Sequence, residues 1–135
     1  MSVSEYIKGI HHIGIPVSSM EKTKEFYLKL GATIDHEKED SFEGNKIQVT
    51  VFKLGDVMLE TYERPCVAGK EGAIDHIAFK VENLEKLYLE CKENNYTFME
   101  ECRFSTQSTS YWNGNVRWFI IIGPDGEKLE FSEEK

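Results

Sequence analysis

Residues Ile10 to Lys22, IHHIGIPVSSMEK, and Ile74 to Lys86, IDHIAFKVENLEK, decide how this chain is read. Aligned at an offset of 64 (74 − 10), they agree at six of thirteen positions, including His12 with His76. Ordinary residue frequencies would give roughly one match, so the chain is read as two copies of one unit. In each copy a β-rich run, Ile10 to Val17 or Ile74 to Val81, leads into a helix start. Ser18 with Glu21 has capping-box spacing, and Asn83 is a good N-cap residue. The first helix should stop at Gly31, and the second at Asn94-Asn95, with Leu84, Leu87, Tyr88 and Cys91 on one face.

Three strand-like segments follow each helix. They are about Thr33 to Glu39, Lys46 to Leu54 and Val57 to Glu63 in the first copy, and about Tyr96 to Phe104, Asn115 to Ile122 and Glu127 to Ser132 in the second. Turns are expected at Gly55-Asp56 and at Gly123-Pro124-Asp125-Gly126. A weaker correspondence at an offset of 70 pairs Asn45 with Asn115, Leu59 with Leu129 and Glu60 with Glu130. The expected architecture is α+β: one domain over 1–135, made of βαβββ modules 7–63 and 73–133 joined by loop 64–72. A polar stretch, Ser105 to Gly114, ends in Tyr111 and Trp112. It reads either as a pocket wall or lid, or as a surface loop whose aromatics fold back on the core.

Composition narrows the function classes. At 135 residues the chain can build a core without disulfide or zinc staples. Its 16 Lys+Arg against 24 Asp+Glu give a net charge of −8, which argues against nucleic acid or an anionic membrane as partner. The longest apolar runs, such as Trp118 to Ile122, are of strand length. The first residues, MSVSEYIKGI, do not read as a signal segment. Cys66, Cys91 and Cys102 form no Cys-x-x-Cys pair, and this suits a reducing cytoplasm.

Strand parity then sorts the polar residues. Ile13, Ile15 and Val17 point one way, and His12 points the other with Gly14 and Pro16. In the second copy Ile77, Phe79 and Val81 lie opposite His76 and Ala78. Glu60 and Glu130 lie opposite the apolar residues of their own strands, Leu59 and Leu129 with Phe131. A lone strand histidine is usually structural, and a lone glutamate is usually solvated. Here both recur at equivalent places in two repeats. If the copies curve round one central cavity, His12, Glu60, His76 and Glu130 converge from four strands, a donor set suited to Zn, Ni, Co, Fe or Mn. His11 and His36 lack such partners and read as structural.

The segments HHIGIPVSSMEKTKEFYLKLG, DHIAFKVENLEK and GPDGEKLEF resemble the vicinal oxygen chelate superfamily, which has the glyoxalase I and bleomycin-resistance fold. The resemblance spans about Ile7 to Ser132 and implies paired βαβββ modules around a cavity. It also places the family's four metal positions on His12, Glu60, His76 and Glu130. The full set favours the glyoxalase I and epimerase-like branch. The resemblance then implies a metal-dependent lyase or isomerase that abstracts a proton next to a carbonyl through a metal-stabilised enediolate. Glu130 is the first choice of base and Glu60 the second.

Pro16 stands where the glyoxalase I enzymes typically carry arginine, which leaves a thiol co-substrate such as glutathione open. Arg64 and Arg117 are candidates to meet a substrate carboxylate, with Arg103 a further one, and Trp112 is a candidate pocket aromatic. The partner expected is a small molecule, with no nucleic acid and no membrane. The resemblance further implies a homodimer. Two alternatives stay open: an epimerase or isomerase of an acyl-CoA thioester or sugar-like substrate, and a non-catalytic binding or resistance protein that uses Tyr111 and Trp112.

Overall fold

The computed structural model describes residues 2–99 and 116–134. After a short 3-10 turn, η1 (Val3–Tyr6), the first half runs β1 (Ile13–Val17), α1 (Met20–Leu30), β2 (Thr33–Phe42), β3 (Asn45–Leu54) and β4 (Val57–Glu63). The second runs β5 (Ile77–Lys80), α2 (Leu84–Glu93), β6 (Thr97–Phe98), β7 (Val116–Ile122) and β8 (Lys128–Glu134). Each half forms one four-stranded mixed sheet, in the orders β1-β4-β3-β2 and β5-β8-β7-β6. The first and last strands of each module pair in parallel, Ile13 with Leu59 and Ile77 with Leu129. The chain is thus α+β, and it divides into two compact units, Met1–Val67 and Ala68–Lys135.

Strand pairing rather than residue preference sets several boundaries. β1 and β5 begin at Ile13 and Ile77, three residues later than their β-rich sequence suggests, because the parallel ladder begins there. His12 and His76 therefore stand just ahead of the strands. β2 runs past Glu39 to Phe42, since pairing with β3 continues to Phe42–Asn45. The chain reverses there through Glu43 and Gly44 at φ +50° and +81°, the left-handed pair of a tight hairpin turn. The expected strand from Tyr96 to Phe104 is observed at Thr97–Phe98, and its part from residue 100 onward lies outside the described residues.

Each helix covers one face of its own sheet. From α1, Met20, Thr23 and Tyr27 are buried, at helical spacing, and the Tyr27 and Phe52 rings lie 5.4 Å apart. Under α2, Tyr88, Phe98 and Phe119 form a cluster with centroids 5.1 to 5.7 Å apart, extended to Phe131. The cap of α1 is Ser19, whose side chain accepts from the Lys22 N–H, rather than Ser18. Gly31 ends the helix at φ +106°, with its N–H donating to the Leu28 carbonyl. Asn83 precedes α2 as expected, but its side chain makes no cap bond.

Both helix starts are instead tied to the last strand of their module. Glu63 accepts from the Met20 N–H at 3.1 Å, and Glu133 accepts from the Asn83 N–H at 2.9 Å. A carboxylate there complements the helix dipole and uses a backbone donor with no partner inside the helix. The opposite face of each sheet is left for the polar residues of the repeat.

Candidate functional site

In the first half the face away from α1 carries His12, Glu60, Tyr62 and Arg64. Glu60 lies beside Gly14 in the parallel ladder, and His12 Nε2 stands 3.9 Å from Glu60 Oε1. A cavity of about 400 Å³ opens on this face, lined by these residues with Lys38, Asp40, Ile47 and Val49. Gly14 keeps the wall thin: a Cβ there would sit 3.5 Å from the Tyr62 ring. The Arg64 guanidinium lies over two ring faces, 4.0 Å from the Phe42 centroid and 4.7 Å from that of Tyr62. It also donates to the Glu63 carbonyl at 2.9 Å. Two cation–π contacts and a backbone bond hold the charge in place at the cavity wall.

The second half repeats the pair. Ala78 lies beside Glu130, and His76 Nε2 stands 3.5 Å from Glu130 Oε1. The cavity here is about 320 Å³ and includes Ala78, Lys80, Val116, Glu130, Ser132 and Glu134 in its wall. Ser132 Oγ donates to Glu130 Oε2 at 2.6 Å.

The other ring nitrogen of each histidine is occupied by the residue before it. His76 Nδ1 lies 2.8 Å from Asp75 Oδ2. An ionised carboxylate can only accept, so Nδ1 donates to Asp75, and that bond turns Nε2 toward Glu130. The His76 hydrogen bond, followed by the charge of Lys128, holds the Asp75 carboxyl below its ordinary pKa despite an opposing burial effect. In the first half His11 Nδ1 lies 2.8 Å from His12 Nδ1, at the repeat position of Asp75. His11 is therefore a partner of His12 rather than the unrelated histidine its sequence context suggests. The signal was in the repeat itself, since 75 − 64 is 11. His36 instead pairs with Asp35 on β2.

The donors fit a divalent ion in chemistry and in spacing. Two bonds of about 2.1 Å to one ion put the donor atoms about 3.4 Å apart at a tetrahedral angle, close to the observed 3.5 Å for His76 and Glu130. The 3.9 Å pair of His12 and Glu60 needs to close by about 0.5 Å. Among the described residues of either half, no group of three or more His, Cys, Asp or Glu side chains is placed to hold an ion. Each half thus offers a two-donor half-site.

Arg117 departs from its expected role. It lies on the same face of β7 as Phe119, turned to α2 and away from Glu130, and donates to Glu85 at 2.6 Å and Glu133 at 2.8 Å. These carboxylates raise its pKa further. Parity explains the placement, because position 117 is odd-numbered with the core residues 119 and 121. Trp112, Tyr111 and Arg103 lie outside the described residues. No helix among the described residues is long and apolar enough to cross a membrane.

Comparison with known proteins identifies the family and the fold. Residues 9–131 match the family model described as the Glyoxalase/Bleomycin resistance protein/Dioxygenase superfamily. The fold is similar to a glyoxalase family protein from Enterococcus faecalis, at 24% identity and TM-score 0.73 over 95% of this chain and 99% of that one. It is also similar to a glyoxalase/bleomycin resistance protein/dioxygenase from Alicyclobacillus acidocaldarius, at 16% and 0.70 over 94% and 92%. A third is the fosfomycin resistance protein of Listeria monocytogenes in complex with Mn(II) and sulfate, at 20% and 0.68 over 96% and 94%. Among curated proteins none matches the chain.

Proposed function

Because this chain belongs to the Glyoxalase/Bleomycin resistance protein/Dioxygenase superfamily, we propose that it is a metal-dependent lyase or isomerase of the glyoxalase I type. The observation that carries the reading is the His–Glu pair repeated in both halves, each with its histidine Nδ1 engaged and its Nε2 turned to a carboxylate. His12, Glu60, His76 and Glu130 are the proposed ligands. Mn(II) in the Listeria monocytogenes protein supports a divalent ion at the level of the fold. When bound, such an ion acts as a Lewis acid toward a substrate carbonyl and the oxygen beside it.

The remaining chemistry falls to the chain's own residues. The proton on the carbon next to the carbonyl passes to a carboxylate oxygen and returns to the neighbouring carbon. Glu60 is the better placed of the two for this transfer. Its side chain is 42% exposed against 17% for Glu130, and its Oε2 carries no hydrogen bond from its own strand. Glu130 is tied down by Ser132. This reverses the order implied by family resemblance. Arg64, held over Phe42 and Tyr62, is the proposed contact for an anionic group on the substrate.

The test is turnover of the methylglyoxal–glutathione adduct by protein loaded with nickel or zinc. Absence of turnover with every divalent ion tried would reject the glyoxalase I reading. Pro16, on the cavity side of β1 where the glyoxalase I enzymes typically carry arginine, favours a second reading: an epimerase or isomerase of another chelating substrate. Deuterium exchange from solvent into a panel of acyl-CoA thioesters and hydroxyketones separates the two. A protein that retains no metal and turns over neither class is the non-catalytic binder.

A further inference from the structure

The two half-sites hold their carboxylates differently. At the repeat offset of 70, Glu60, Tyr62 and Arg64 correspond to Glu130, Ser132 and Glu134. Tyr62 turns its ring toward Gly14 and Arg64, so the Glu60 carboxylate receives nothing from the second position along its strand. Ser132 occupies the equivalent place on β8 and donates its hydroxyl to Glu130 Oε2 at 2.6 Å. That is the length of a charge-assisted O–H bond to a carboxylate. With Oε2 held, the carboxylate plane is fixed and Oε1 stays on the side of His76 Nε2, 3.5 Å away. On the other side of the imidazole, Asp75 fixes the ring through Nδ1. Both donors of this half-site are therefore set before an ion arrives.

We propose that Ser132 is a positioning residue whose hydroxyl presets Glu130 as a metal ligand. The proposal rests on the reading of His76 and Glu130 as ligands. The pair needs no ordering of the glutamate on binding, so the hydroxyl should be felt in affinity for the ion itself. Ser132 is half-buried on the cavity face, and its backbone pairing with Trp118 in the β7–β8 ladder does not use the side chain. Removing Oγ should leave the fold intact.

The experiment is a nickel(II) titration of the full chain against a chromophoric chelator, in the wild type and in Ser132→Ala, Ser132→Cys and Ser132→Thr. Ser132→Ala should weaken nickel binding by about 10- to 100-fold, as loss of an outer hydrogen bond to a ligand commonly does. Ser132→Cys, nearly the same size with a poor donor, should fall with it, and Ser132→Thr should recover most of the loss. Thermal midpoints of the metal-free proteins should stay together, which a merely structural role would not give. Unchanged nickel affinity in Ser132→Ala or Ser132→Cys, or a loss in Ser132→Thr as large as in Ser132→Ala, would overturn the proposal and leave the ligand reading standing. Failure of the wild type to bind nickel would overturn the ligand reading, and the role of Ser132 with it.

Discussion

Thr23 on α1 and Thr61 on β4 are both wholly buried in the first half, and their hydroxyls are in opposite situations. Thr61 Oγ1 donates to the Thr50 carbonyl at 2.7 Å. Thr23 Oγ1 has no hydrogen-bond partner among the described residues. Replacing each with valine keeps shape and β-branching and removes one hydroxyl. Thr61→Val breaks a buried bond and leaves an acceptor short, a loss of about 1–3 kcal/mol. Thr23→Val relieves an unpaired buried donor, a gain of about 1 kcal/mol. With an unfolding entropy of about 2.1 cal/mol/K per residue over 135 residues, roughly 0.28 kcal/mol/K in all, each kcal/mol moves the Tm by about 3.5 °C. Thermal unfolding followed by circular dichroism should therefore place Thr61→Val about 4–10 °C below the wild type, and Thr23→Val a few degrees above it. Shifts of the same sign and similar size would refute the claim that partnering, rather than burial alone, decides the effect. Thr61 stands between Glu60 and Tyr62, so its bond also anchors the strand that presents them.

Further outcomes concern a buried thiol, an ion-paired arginine and a glycine. Burial, with a contribution from the Glu90 charge, pushes the Cys91 thiol up to about 11, so in a Cys102→Ser background a thiol reagent at neutral pH should label exposed Cys66 and spare Cys91. The raised value also means that the neutral thiol favours the fold fully below the ordinary value of 9.0, and that this contribution is lost as pH rises toward 11. Chemical denaturation across that interval should show a fall in stability that Cys91→Ala reduces. Arg117→Met should lower thermal stability by leaving the largely buried Glu133 without its cation, and leave metal affinity unchanged. Gly14→Ala should fold normally, since the added Cβ meets the Tyr62 ring at an ordinary 3.5 Å. Gly14→Leu should displace that ring and reduce ligand binding in the first cavity.

The fold was legible because the repeat exposes parity. Once His12 and His76 are aligned, alternation assigns Ile13, Ile15 and Val17 to the helix face and the histidines to the other, and the ladders Gly14–Glu60 and Ala78–Glu130 follow that assignment. Parity also contained the information that Arg117 faces α2, since it shares its side of β7 with Phe119. What favoured the wrong reading was charge, because a lone arginine suggests a ligand until its partners Glu85 and Glu133 are seen. Those partners come from a helix and a strand 32 and 16 residues away, a long-range coincidence that no local pattern reports. The Glu63 and Glu133 anchors were hidden for the same reason: each lies 43 or 50 residues from the helix start it meets. The His11–His12 contact was the reverse case, local and readable, and obscured only because histidine replaces the acidic residue found in the second copy.

Whether the paired histidines and glutamates hold a divalent ion is read from the metal content of purified protein after loading with nickel and removal of free ion. The wild type should retain nickel, and His12→Ala and His76→Ala should each lose most of it while keeping their circular dichroism spectra. A wild type that retains none, or histidine variants that retain as much as the wild type, would show that these histidines are not ligands.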